Sequence, residues 1–221
     1  MEAVGFRHFA RLSPNRLALA APDGRHWSRG ELWAECERLI HTRPARAHEP
    51  AISVPNCAGL IAGSLAFEYE SNTADALDPP QEVEKARRLM EPFSIQPEQD
   101  NVHYCALPLD CDEKLAWTLA SLHFGHSVVF ADHWDVNNML RDIEHYRITT
   151  SCLTATQADD LLSLSEEARC FYDTASMKQL IPIGTPYPPA VGRALADWWG
   201  GVFQAQALPP RPQSTACQVS A

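Results

Sequence analysis

From residue 102 onward, short β-prone runs alternate with helix-patterned stretches, and that alternation leaves few folds open to the chain. Residues 102–106, 127–130, 148–152 and 180–183 read as strands, apolar or β-branched and bounded by turn residues. Helix patterns lie between them. Asp112 stands in a capping position before Leu115, Leu119 and Leu122, and Gly125 can close that helix in a left-handed conformation. Asp135 opens a second helix with Met139, Leu140, Ile143 and Tyr146 on one face. A third runs near 157–164, and Pro188 opens a fourth that ends at Trp198, Trp199 and Gly200. Val202 and Phe203 suit the start of a last strand. Strands joined by helical crossovers pair in parallel and must be covered on both faces. The expected class is therefore α/β, a mostly parallel sheet flanked by helices.

The first third is more broken. Phe6, Phe9, Ala10 and Leu12 share one side of a short helix that ends before Pro14, and residues 17–21 suit a buried strand. Pro22-Asp23-Gly24 supplies turn chemistry before a short returning strand at His26 and Trp27. Ser28 with Glu31 forms a capping-box pattern, and Leu32, Cys36, Leu39 and Ile40 continue that helix's apolar face. After a polar loop at 42–50, residues 51–54 read as a strand, and Asn56 caps a helix through Leu60, Ile61, Leu65 and Phe67. Residues 68–81 are acidic, polar and proline-containing, and read as an irregular junction. A helix over 82–90 follows, with Pro92 and Pro97 delimiting the next loop. The tail 204–221, rich in Gln, Pro, Ser and Ala without periodicity, reads as disordered. The expected organisation is a 1–67 α/β segment, the 68–81 junction, an 82–203 sheet segment and the tail.

Charge narrows the partners. A formal net charge of −10 opposes binding to nucleic acid or an anionic membrane, each of which calls for a basic patch. No apolar stretch approaches the roughly 18 residues a membrane span needs. The seven cysteines are odd in number and form no Cys-x-x-Cys pair, which reads as reduced thiols in a cytoplasmic protein.

Chemistry candidates are sparse. No Gly-x-x-x-x-Gly-Lys-Ser/Thr or Gly-x-Gly-x-x-Gly string is present, so no loop offers a row of amides to a triphosphate. His123, His126 and His133, with Asp132, form the one grouping suggestive of metal, but a helix end at Gly125 would separate the first two. Cys111 sits among Asp110, Asp112 and Glu113, which suppress the reactive thiolate. Trp117, Trp134, Trp198 and Trp199 suit core packing, or else the lining of an apolar pocket. Leu208-Pro209-Pro210-Arg211-Pro212 has the composition of a polyproline segment and of any proline-rich tail.

Several strings in order resemble the AMP-forming acyl-CoA synthetases. The opening Phe9-Ala10-Arg11-Leu12-Ser13-Pro14-Asn15-Arg16-Leu17-Ala18-Leu19, with Pro22-Asp23-Gly24-Arg25 and Trp27-Ser28, is similar to that family's N-terminus. Val54-Pro55-Asn56-Cys57 resembles its next strand-to-helix junction, and residues 101–130 its central strand–helix–strand. Residues 143–164, with Thr156-Gln157, resemble the helix and loop before the adenine-binding motif, and residues 181–199 that motif and the helix after it. The resemblance covers 6–67 and roughly 82–203. It implies the N-terminal domain of an adenylate-forming enzyme and an ancestry in ATP-dependent activation of a fatty or other apolar carboxylic acid, with ATP, magnesium and CoA as the family's cofactors.

The departures from that pattern set the functional expectation. The family's Ser/Thr/Gly-rich phosphate loop would fall at 68–81, where only the acidic junction stands. After Leu107-Pro108-Leu109, Asp110-Cys111 replaces an aromatic-His stretch. The adenine string is Ile183-Gly184-Thr185-Pro186, with Ile183 in place of a usual glycine. Val202-Phe203-Gln204-Ala205-Gln206 replaces the Tyr-Gly-x-Thr-Glu-like string, and the C-terminal subdomain with its lysine lies beyond residue 221. The resemblance thus implies an internally deleted, C-terminally truncated and catalytically inactive relative, with no catalytic residue, no metal site and no cofactor retained. Trp117, Thr156 and Gln157 remain as substrate-contacting candidates, and Gly184, Thr185 and Pro186 as a degenerate adenine-binding motif. The alternatives are a non-catalytic module binding a fatty-acyl ligand or acyl-CoA, and an interaction partner of a full-length synthetase. Unpaired sheet edges would also favour a homo-oligomer.

Overall fold

The computed structural model describes residues 5–42, 57–70, 80–97, 100–106 and 112–199. The expected strand at 51–54, the Asn56 cap, Cys111, the strand start at Val202 and the tail 204–221 lie outside those residues.

A six-stranded sheet organises the described residues. Its strands are β1 (Leu17–Ala20), β2 (His26–Ser28), β3 (Val102–Ala106), β4 (Ser127–Ala131), β5 (Thr150–Leu153) and β6 (Gln179–Pro182), in the spatial order β2-β1-β4-β3-β5-β6. Only the β1–β2 hairpin is antiparallel; the other four pairings are parallel. The mostly parallel α/β sheet expected from the alternation is the one observed.

The pleat sorts the core. On β3 and β4, Cys105, Val128 and Phe130 face one side, while Tyr104, Val129 and Ala131 face the other. On β5 and β6, Cys152 and Ile181 share the first side, and Leu153 and Leu180 the second. The first side is covered by α1 (Phe6–Leu12), α2 (Arg29–Thr42), α3 (Cys57–Glu70), α4 (Pro80–Met90) and α5 (Asp112–His123). The second is covered by α6 (Val136–Tyr146), α7 (Ala155–Leu162) and α9 (Pro189–Trp199), with α8 (Glu166–Phe171) short and peripheral.

Capping fixes where several elements begin and end. Ser28 and Glu31 make the reciprocal bonds of a capping box at 3.2 and 2.8 Å. Asp135 accepts the Asn138 amide, and Thr154 and Gln157 form a second box at the start of α7. Gly125 leaves α5 with φ of 75°, packed so tightly on the Phe9 ring that an added Cβ would lie 2.7 Å from it.

Four details differ from the sequence reading. Leu12 is 64% exposed, off the buried face of α1. Helix α3 runs past residue 67 to Glu70, and α4 begins at Pro80, so helix occupies both ends of the expected junction; residues 71–79 lie outside the described set. The extension has a packing cause: Tyr69 meets Trp33 edge-on at 4.7 Å and its hydroxyl accepts the Arg7 amide. Strand β5 starts at Thr150 instead of 148, because Arg147 is left-handed (φ 54°) and Ile148 donates back to the Ile143 carbonyl, closing α6. Helix α8 had no expectation at all.

Candidate functional site

The strand order creates a crevice. The chain leaves β3 through α5 to reach β4 on one side, then crosses through α6 to β5 on the other side of β3. Connections that depart in opposite directions part from one another outside the carboxyl ends of β3 and β5, where open α/β sheets bind ligands.

Three connections meet at that edge. Leu153 ends β5, and the next residue, Thr154, caps α7: its hydroxyl accepts the Gln157 amide at 3.3 Å, and the Gln157 side chain accepts the Thr154 amide at 2.9 Å. Beyond β6, Ile183 donates its amide to the Leu153 carbonyl at 3.1 Å, which ties the two strand ends together. Tyr187 donates its hydroxyl to the same carbonyl at 2.9 Å, and burial pushes its phenol upward. Gly184 turns with φ of 75° and donates its amide to Glu113 Oε2 at 2.9 Å. Glu113 belongs to the first turn of α5, where the helix dipole favours a carboxylate.

The structure brings five of the six candidate residues to neighbouring connections. Thr156 and Gln157 open α7, and Gly184, Thr185 and Pro186 form the exposed turn after β6. Gln157 spends its carbonyl on the capping box. Trp117 lies elsewhere: only 1% exposed, it is stacked on His103 at 6.3 Å and edge-on to Phe93 at 5.4 Å. Glu113 is the edge residue that the sequence reading did not single out. Its only signal was its place in a helix's first turn, where an acid needs no further explanation.

The histidines have structural partners. His123 Nδ1 accepts the Phe6 amide at 3.2 Å and its Nε2 meets Glu68 at 2.9 Å. His126 Nε2 bonds the Gln96 carbonyl, and His103 Nδ1 the Thr150 hydroxyl. Burial lowers His103 to about 3 and His126 to about 4, so both are held uncharged near neutrality. His133 is exposed beside Asp132. Among the described residues, no group of three His, Cys, Asp or Glu side chains is arranged to hold a metal ion. Of the thiols described there, Cys36, Cys105 and Cys152 are buried and Cys170 is exposed. Trp134 donates to Asp160, and Trp198 stacks on Trp199 beneath the Arg169 guanidinium. No helix among the described residues is long and apolar enough to cross a membrane.

A separate hollow of about 530 Å3 lies between α3, α4 and α5, with Glu68 and His123 at one end and Asp112 at the other.

Among solved structures, the fold is that of the N-terminal domain of adenylate-forming enzymes. The N-terminal domain of FACL13 from Mycobacterium tuberculosis superposes with a TM-score of 0.66 at 13% identity, over 90% of this chain and 74% of that one. The o-succinylbenzoate CoA synthetase of Bacillus subtilis gives 0.64 at 14% identity, over 88% of this chain and 57% of that one. The luciferase-like enzyme of the mealworm Zophobas morio gives 0.64 at 10% identity, over 90% and 70%. This chain therefore spans little more than half of the synthetase. No curated protein matches it in sequence. The sequence profile described as AMP-binding enzyme matches residues 81–207, more than half of the chain. The chain belongs to that family.

Proposed function

We propose that the 221-residue chain is a non-adenylating member of the AMP-binding family, related to AMP-forming acid–CoA ligases but without their first chemical step. The observation that carries this reading is the bond from the Gly184 amide to Glu113. In the loop that resembles the adenine-binding motif, a backbone donor is committed to the protein's own carboxylate. Asp112, beside Glu113 in the first turn of α5, adds a second acidic side chain at this edge. A triphosphate passing through its transition state needs preorganised positive or amide donors aimed at the developing charge, commonly the largest catalytic contribution. Asp112 and Glu113 offer the opposite sign, and the sequence contains no phosphate loop of the kind that would compensate.

The direct assay is ATP–pyrophosphate exchange by the purified chain across a panel of straight-chain and aryl carboxylic acids. The expected rate equals the no-acid background for every acid. Acid-dependent exchange that co-elutes with the chain and disappears on Gly184→Asp substitution would overturn the proposal.

A further inference from the structure

The hollow between α3, α4 and α5 has the dimensions of a ligand site and shares only Asp112 with the edge described above. Its volume of about 530 Å3 falls in the range of small-molecule pockets. The floor is the face of α5 formed by Leu115, Ala116 and Leu119, and Leu89 of α4 lies opposite. Trp117, on the same helix, is packed into the core, so the groove runs along the α4 side of α5.

Its two ends are acidic. Asp112 begins α5 and His123 ends it, about 16 Å apart at the rise of an α-helix. At the far end, His123 Nε2 holds the Glu68 carboxylate at 2.9 Å, with the Glu68 side chain only 13% exposed. The ring is itself oriented, because its Nδ1 accepts the Phe6 amide. The basic residues on the rim are matched by other acids: Lys85 pairs with Glu82 at 2.6 Å and Arg88 with Glu84 at 2.9 Å, both cations largely in solvent. Among the described residues, neither Glu68 nor Asp112 meets a lysine or arginine.

We propose that this groove binds an elongated apolar amine, its alkyl stem lying over Leu89, Leu115 and Leu119 and its ammonium on Glu68. The apolar floor favours the stem through burial. The carboxylate, half-buried and pre-oriented by His123, takes the ammonium in a charge-assisted bond. A carboxylate ligand of the same length would bring like charge to whichever end its headgroup took, and the chain's net charge of −10 adds to that repulsion.

The test is calorimetric titration of the full chain with octylamine and with octanoate at low ionic strength. Octylamine is expected to bind saturably at one site, and octanoate at least about tenfold more weakly. Ala116→Trp fills the groove from its floor and is expected to abolish octylamine binding. Glu68→Gln is expected to weaken octylamine about tenfold without weakening octanoate. Because Glu68 also supports His123, circular dichroism and melting temperature establish that each variant is folded, and Ala116→Trp stands independently should Glu68→Gln fail to fold. Absence of saturable octylamine binding, octanoate binding as tight as octylamine, or unchanged octylamine affinity in Ala116→Trp would each overturn the proposal. None of these results bears on adenylation, which the exchange assay reads separately.

Discussion

At the scale of single residues, His126 ties the fold to pH. The ring is 1% exposed and bonded to the Gln96 carbonyl; burial lowers it to about 4, with Arg29 and Lys178 adding to the effect. The unfolded chain takes up that proton near the ordinary value of 6.5 while the folded chain refuses it. Stability is thus complete above pH 6.5 and is lost as pH falls from there toward 4. His103, lowered further by burial and by His126, acts in the same direction. Each histidine should remove roughly 1.5 kcal/mol between pH 6.5 and 5. Urea midpoints at those two pH values should therefore fall less in His126→Gln than in the parent, and equal falls would exonerate the histidine. The candidate site shows how unevenly single residues can be read. Thr156, Gln157 and Gly184–Pro186 stood out through family resemblance, and their shared edge was invisible until β5 and β6 were paired. Glu113 could not have been found, because its partner lies 71 residues away and an acid in a first turn already satisfies its helix.

At the scale of elements, legibility followed the caps. Asp135, Ser28 with Glu31, and the close at Gly125 announced three helices, since each satisfies orphaned amides or carbonyls with neighbours in sequence. Helix α8 spans six residues and presents no buried side, so periodicity had nothing to report. The extension of α3 to Glu70 was decided by Tyr69 docking on Trp33, a tertiary contact that overrides a polar stretch. Helix α7 separates two roles for one side chain. Gln157 completes the capping box with Thr154. Gln157→Ala should lower stability by about 0.5–1 kcal/mol by exposing the Thr154 amide, and Thr154→Ala by about 1 kcal/mol. Thermal melts of the two single variants and the double give the coupling. Strict additivity would mean that the box contributes nothing as a unit, and would free Gln157 for a role toward ligand.

At the scale of the whole molecule, alternation in the sequence dictated parallel pairing but not the order β2-β1-β4-β3-β5-β6. Several orders bury the same apolar runs equally well. The one adopted is selected by contacts distant in sequence, such as Ser127 donating to the Leu17 carbonyl and the buried Arg29 guanidinium bonding Ser13 and the Gly125 carbonyl. That order carries the β6 turn within reach of α5, and so brings Glu113 to the Gly184 amide. A group held in place by its own chain is always present at a high local concentration. Any outside anion seeking that amide meets only the fraction of molecules in which Glu113 has swung away, and its measured affinity is reduced by that fraction. Glu113→Ala should therefore tighten AMP binding by roughly three- to tenfold, the scale of one exposed charge-assisted bond. Equal affinities for AMP in calorimetric titrations of the parent and the variant would mean that the side chain guards nothing. What the β6 turn shows is an amide whose acceptor is supplied by its own chain, a partner that no dilution can remove.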